Sequence, residues 1–209
     1  GVRWLEIIAT KANDTRAMAL LAQTYLKGDG VPQNEERAVL LFRSLGERGN
    51  GPAWRVLAGL SHEGRGGLSA DPSVMAGFLA KGVALGDPAS HFFLGELYLR
   101  GEGVMQNDRE AFRLIELAAE GGDFNAMLAL ANIFIKGSAG QSVDEETAFK
   151  WLSVVVNRAP PGDAYFQASL AVQQMRQQLS DAAIGRAQEE AGKFQARKLP
   201  AQNPPAAKP

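Results

Sequence analysis

Large apolar residues recur along the chain at offsets of three and four, in blocks broken by glycine-rich stretches. That rhythm marks helices with one buried stripe. The breaks Gly28-Asp29-Gly30, Gly64-Arg65-Gly66, Gly101-Glu102-Gly103 and Gly137-Ser138-Ala139-Gly140 begin 36, 37 and 36 residues apart, which makes the pattern a repeat. Seven residues before each first glycine stands Leu21, Leu57, Leu94 or Leu130, followed by Ala22, Ala58, Gly95 or Ala131; three before stands Tyr25, Ser61, Tyr98 or Phe134. These positions define a helix A in each repeat, with a small residue beside the leucine where a second helix can approach closely. After each break, Asn34, Asp71, Asn107 or Asp144 can accept hydrogen bonds from the free amides of a new helix B. The stripe of helix B is Ala38 with Phe42, Val74 with Phe78, Ala111 with Ile115, and Ala148 with Leu152. Pro72 at a first helical position and Glu110 in capping-box register with Asn107 reinforce two of these starts.

Glycine just past a helix takes a left-handed conformation that other residues pay for in strain, so the repeated glycines are helix stops. Short second turns, Gly49-Asn50-Gly51, Gly86-Asp87-Pro88 and Gly121-Gly122-Asp123, return the chain to the next helix A and require consecutive helices to pack antiparallel. Most of the 23 glycines among 209 residues are thereby placed, without a collagen period or a low-complexity tract.

Composition narrows the function classes. A hydrophobic fraction of 45% supports a packed core, and 22 basic against 23 acidic residues leave no global positive field for nucleic acid. Zero cysteine removes disulfide scaffolds, thiolate zinc sites and thiol nucleophiles without choosing a compartment. No apolar run approaches the roughly 20 residues of a membrane span. The opening residues Val2, Trp4, Leu5, Ile7 and Ile8 read as a cut inside a larger protein, so a signal peptide or anchor would lie upstream.

The segments Ala17-Met18 through Tyr25-Leu26-Lys27-Gly28-Asp29-Gly30-Val31-Pro32-Gln33-Asn34, and Phe93-Leu94-Gly95-Glu96-Leu97-Tyr98 through Gly101-Glu102-Gly103-Val104, resemble the Sel1-like repeat, a relative of the tetratricopeptide repeat. The 17 or 18 residues from the helix A leucine to the helix B small residue exceed what the tetratricopeptide relative permits. The resemblance spans Leu5 to Phe194 and implies an all-α fold, a right-handed α-α superhelix (solenoid) of helix pairs. Repeat two departs from the pattern through Ser61 in place of the aromatic and through Gly77 and Gly82 inside helix B. On this reading residues 1–16 end a preceding repeat, 17–163 form four Sel1-like repeats, 164–199 form a capping helix pair and 200–209 a Pro/Ala-rich disordered tail. The last helix is expected over Ser180 to Lys198, with Ala183, Ile184, Ala187, Ala191 and Phe194 inward and Gln188, Glu189, Glu190 and Lys193 in solvent.

Catalytic constellations do not emerge. The glycine breaks lack the third glycine and the preceding strand of a dinucleotide fingerprint, and Gly192-Lys193-Phe194 lacks the hydroxyl of a phosphate loop. His62-Glu63 opens like a zinc-protease motif, but its second histidine would fall at Gly66; His91 is the other histidine in the chain, and both read as surface or groove residues. The acidic pairs Glu35-Glu36, Glu145-Glu146 and Glu189-Glu190 sit where they complement helix dipoles or face water. Asn13-Asp14-Thr15 fits a glycosylation sequon, a pattern frequent by chance.

What remains is a surface. In a superhelix of helix pairs the A helices line the concave side, and the resemblance places Gln23, Leu26, Lys27, Arg55, His62, Glu63, Phe92, Glu96, Leu99, Arg100, Leu128, Asn132, Ile135 and Lys136 along it. The protein-binding set reduces to Gln23, Lys27, Arg55, His62, Phe92, Glu96, Leu99, Arg100, Asn132 and Lys136. Lys27, Arg100 and Lys136 share one repeat position as a basic ladder; the plainer account is that each answers its helix dipole. The reading is a non-catalytic scaffold or adaptor whose partner is another protein, with no nucleic acid, no membrane insertion in this segment, no metal and no small-molecule cofactor. The resemblance adds a bacterial periplasmic or exported location, in envelope signalling or in envelope and exopolysaccharide assembly, with the cytoplasm left open. The competing reading is a cell-wall or glycan-binding protein or hydrolase, although this chain has no cysteines of the family's disulfide-rich branch.

Overall fold

The computed structural model describes residues 6–7 and 14–201. Among the described residues ten helices follow one another without a strand: α1 (Thr15–Lys27), α2 (Glu35–Glu47), α3 (Gly51–His62), α4 (Pro72–Ala84), α5 (Pro88–Arg100), α6 (Asp108–Glu120), α7 (Phe124–Lys136), α8 (Glu145–Arg158), α9 (Asp163–Met175) and α10 (Asp181–Lys193). The odd helices through α7 are the A helices and the even helices through α8 their B partners, an all-α repeat fold. The sequon's Asn13, most of the half repeat before Ala17, and residues 202–209 lie outside the described residues.

Each predicted cap closes its helix. Asn34, Asp71, Asn107 and Asp144 accept from the amides of Arg37, Ser73, Glu110 and Thr147 at 2.8 to 3.1 Å. Asp14, Asn50, Asp87 and Asp123 do the same at the starts of the A helices. The capping box at Asn107 is only half formed. Glu110 turns its carboxylate to Arg113 instead, and the amide of Asn107 donates to the carbonyl of Tyr98 at 3.0 Å.

That last bond recurs. The amide of Asn34 donates to Tyr25 at 2.8 Å and that of Asp144 to Phe134 at 2.9 Å, so the cap of helix B is tied to the aromatic position of helix A. Gln33 and Gln106 add a second tie, each donating a side-chain N–H to the carbonyl of Leu26 or Leu99 at 3.0 Å. In repeat two, where serine replaces the aromatic, the Ser61 hydroxyl donates to the carbonyl of Ser69 at 2.7 Å. Gly28 ends α1 at φ +78°, in the left-handed region that its lack of Cβ makes accessible.

The chain divides into two compact units, one running through Ser90 and taking in Glu102–Met105, the other holding His91–Gly101 and Gln106–Leu199. In the first, α1 packs on α2, α2 on α3 and α3 on α4. One close approach is at Gly46, where a Cβ would fall 2.3 Å from the Trp54 indole; that ring in turn stacks on Phe78 at 6.0 Å. In the second, α7 packs against α6, α8 and α9, and α8 also carries α10. Its core gathers Ile115, Met127, Leu130, Phe149, Leu152 and Val155, none more than 2% exposed.

Ala183, Ala187 and Ala191 of α10 are buried, and Gln188, Glu189, Glu190 and Lys193 are exposed. The helix stops at Lys193, short of the expected Lys198, and Phe194 to Leu199 continues without regular secondary structure. His91, read as a surface or groove residue, is fully buried.

The start of α8 gives the unit a defined acid response. Amide and hydroxyl donation from Thr147 holds Asp144 below the usual carboxylate range, and the Arg186 guanidinium does the same for Glu146. Their folded values are depressed, so the stability they contribute is present above the unfolded value of about 4 and is lost as pH falls through the lower folded values. Thermal melts followed from pH 7 to 2.5 should therefore show Tm falling most steeply below about pH 4. Asp144→Asn, which keeps an oxygen for the Thr147 amide, should flatten that fall; an unchanged acid slope would remove Asp144 from the account.

Candidate functional site

The predicted contact residues fall into one set on each unit. On the first, Gln23 and Lys27 of α1 and His62 at the end of α3 are exposed. Arg55 is only half exposed and is committed to structure: its Nε donates to the Asp87 carboxylate at 3.2 Å, and that side chain is 6% exposed. Asp87 also accepts from the Ser90 amide and hydroxyl at 3.0 and 2.6 Å, so Arg55 serves the start of α5.

On the second unit, Leu99 and Arg100 of α5 and Asn132 and Lys136 of α7 reach the surface, and Glu96 is half exposed. Phe92 does not. It is 8% exposed and belongs to the core with Ile115 and Met127, whereas its neighbour Phe93 is 37% exposed. The correction has a packing cause: α5 buries His91, Phe92, Leu94, Gly95, Leu97 and Tyr98, an arc wider than a single stripe, and Phe92 lies inside it. Leu99, Leu128 and Ile135 pack on the same core from its edge and remain partly open. Arg100 pairs with Glu96 one turn back at 2.9 Å.

The ladder residues Lys27, Arg100 and Lys136 each close their helix as its last residue, where a cation meets the negative end of the helix dipole. At the corresponding end of α3, Glu63 pairs with Arg65 at 2.6 Å.

One member of each acidic pair is engaged in an ion pair: Glu35 with Arg65, Glu146 with Arg186 and Glu189 with Lys193. Arg65 reaches Glu35 at 2.6 Å and holds its carboxyl below the ordinary range. A polar cleft of about 350 Å³ opens between α8 and α10, lined by Asp144, Glu146, Lys150, Arg186 and Glu190. Its Glu146 and Arg186 are locked in a two-point pair at 2.8 and 2.6 Å. Among the described residues no three His, Asp or Glu side chains converge as a metal site would require, and no helix is long and apolar enough to cross a membrane.

An array of capped helix pairs with partly open apolar residues on its A helices defines an all-α repeat protein. The Sel1 repeat matches residues 15–50, 88–123 and 125–153. The chain is a Sel1-repeat protein. The matched stretches coincide with repeats one, three and four; the helix pair between the first two matches is the one that carries Ser61, Gly77 and Gly82.

Two solved structures are similar. One is c5321, described as a protective antigen present in uropathogenic Escherichia coli strains and displaying an SLR fold; it superposes over 92% of this chain with TM-score 0.75 at 23% identity. The other is a Sel1 repeat protein from Oxalobacter formigenes, covering 83% of this chain with TM-score 0.70 at 26% identity. This chain spans 40% and 48% of their lengths. No curated protein matches it. Sel1 repeats commonly mediate protein–protein interaction and are generally non-catalytic.

Proposed function

We propose that the protein is a non-catalytic interaction scaffold or adaptor whose A helices hold a protein or peptide segment. The observation that carries this reading is the edge of the second unit's core, where Leu99, Leu128 and Ile135 stay partly open beside Glu96, Arg100, Asn132 and Lys136. Partly open apolar groups ringed by polar side chains are the usual composition of a contact surface. Gln23, Lys27 and His62 form the corresponding set on the first unit. Phe92 and Arg55 are left out of the proposed set, because Phe92 is buried in the core and Arg55 pairs with the Asp87 carboxylate.

A pull-down comparing the wild-type protein with Arg100→Glu/Lys136→Glu tests the assignment. Both residues are exposed, so the fold should hold with only a small loss of Tm from the anions placed at two helix C-termini and beside Glu96, while the recovered partner is lost; undiminished recovery would remove this surface. Stoichiometric glycan binding, or hydrolysis by the purified protein, would instead favour the glycan reading. The resemblance to bacterial Sel1-like proteins supports a periplasmic or exported location with a role in envelope signalling or exopolysaccharide assembly. Cell fractionation checks that location, and recovery in the cytosolic fraction would overturn it.

A further inference from the structure

The chain does not leave the protein where α10 ends. Phe194 meets the Trp151 ring edge-on at 5.7 Å, with the Arg158 guanidinium 5.7 Å from its own ring centre. Three residues on, the Arg197 amide donates to the Glu120 carbonyl at 3.0 Å, at the end of α6, and the Arg197 guanidinium pairs with the Glu120 carboxylate. Between these anchors Ala196 lies over Gly122, so close that a Cβ on the glycine would stand 2.9 Å from the alanine's. Leu199, two residues beyond the arginine, is 4% exposed.

An aromatic anchor, a main-chain hydrogen bond, a charge pair and a buried leucine, spaced along six residues of non-helical chain, are the means by which folded surfaces read peptide segments. The seat is acidic where Arg197 lands, at Glu120 and the neighbouring Glu116, and carries Lys150 and Arg158 beside its aromatic rings. Burial lifts the Glu116 carboxyl above its ordinary range; the nearby Glu120 charge pushes the same way, and Arg197 and Lys150 oppose both. The attachment is also peripheral, since the Arg197 and Glu120 side chains are 56% and 33% exposed. None of these residues belongs to the A-helix contact set.

We propose that the seat made by α6, the α6–α7 turn and α8 is a docking site for a non-helical basic protein segment, with an aromatic residue three positions before an arginine. The chain's own Phe194–Leu199 occupies it in cis as a removable competitor. A tethered segment competes at an effective concentration in the millimolar range, so a free peptide gains the seat only when the strap is loosened.

The test uses the full chain and a fluorescently labelled synthetic peptide of residues 194–201, followed by anisotropy, with hydrogen exchange at the amide of position 197. The wild type should protect that amide and bind the peptide weakly. Arg197→Glu should release the amide and tighten peptide binding by about tenfold or more. Phe194→Ala, which removes the aromatic anchor against Trp151 and leaves the seat's own residues unchanged, should act likewise and serves as the second releasing variant. Adding Glu120→Arg to Arg197→Glu should reseat the strap with swapped charges and abolish binding of the arginine peptide. Absence of saturable binding in both folded, released variants would overturn the proposal. So would an amide that stays protected in both, or binding indifferent to Glu120.

Discussion

Leu94→Ala should lower the unfolding free energy by about 2 to 5 kcal/mol, in the upper part of that range. The side chain is 1% exposed. The size of such a loss depends on how far the surroundings can close over the cavity, and next to Leu94 they are already in contact. A Cβ at Gly95 would fall 2.8 Å from Ile115 Cγ1 and 3.1 Å from the Ala111 carbonyl oxygen, so α5 and α6 cannot draw together. Glu189→Ala is the control: its side chain is 69% exposed and its partner is Lys193 one turn on. Urea unfolding should show a much smaller effect there, and equal losses would refute the assigned stripe.

The second large effect separates two glycines of α4 that look alike in the sequence. A Cβ at Gly82 would lie 2.1 Å from Ser90 Oγ and 2.7 Å from Ser90 Cβ. Ser90 cannot give way, because its hydroxyl and amide both hold Asp87, which Arg55 also holds. Gly82→Ala should therefore cost about 1 to 3 kcal/mol from overpacking, and more if the buried Asp87 loses a donor. At Gly77 nothing stands within 4 Å of the same added atom. Gly77→Ala should stabilise the protein by roughly 0.5 to 1 kcal/mol. Melts of the two single variants should move in opposite directions; shifts of the same sign would sink the distinction.

Sequence alone treats both glycines as weaknesses of repeat two, because helix propensity is a local quantity and the approach of Ser90 is not. The repeat period, the leucines and all four helix B caps were legible, since each rests on spacing within a few residues. Phe92 was not. Periodicity finds the centre of a buried stripe, but a repeat helix has neighbours on more than one side, as α7 has in α6, α8 and α9, and the buried arc widens past the pattern. Polarity misled at His91 for the same reason. The strap after Lys193 lacks a periodic signal because non-helical chain anchored at isolated points has none; Pro200, which disfavours helical geometry at Leu199, was the one local hint.

The bond from the helix B caps of repeats one, three and four back to the aromatic position of helix A has a consequence for how such arrays change length. It pins both ends of the turn, so what lies between can vary without disturbing either helix. Repeat four already does this: its turn is one residue longer, Ala139 takes φ +52° to accommodate the extra residue, and the Asp144 amide still finds the Phe134 carbonyl. These turns are therefore the natural points for grafting. A short epitope tag or recognition loop inserted after Gly30 would be carried outward by a closed ring of hydrogen bonds, leaving the registration of the helices as it is.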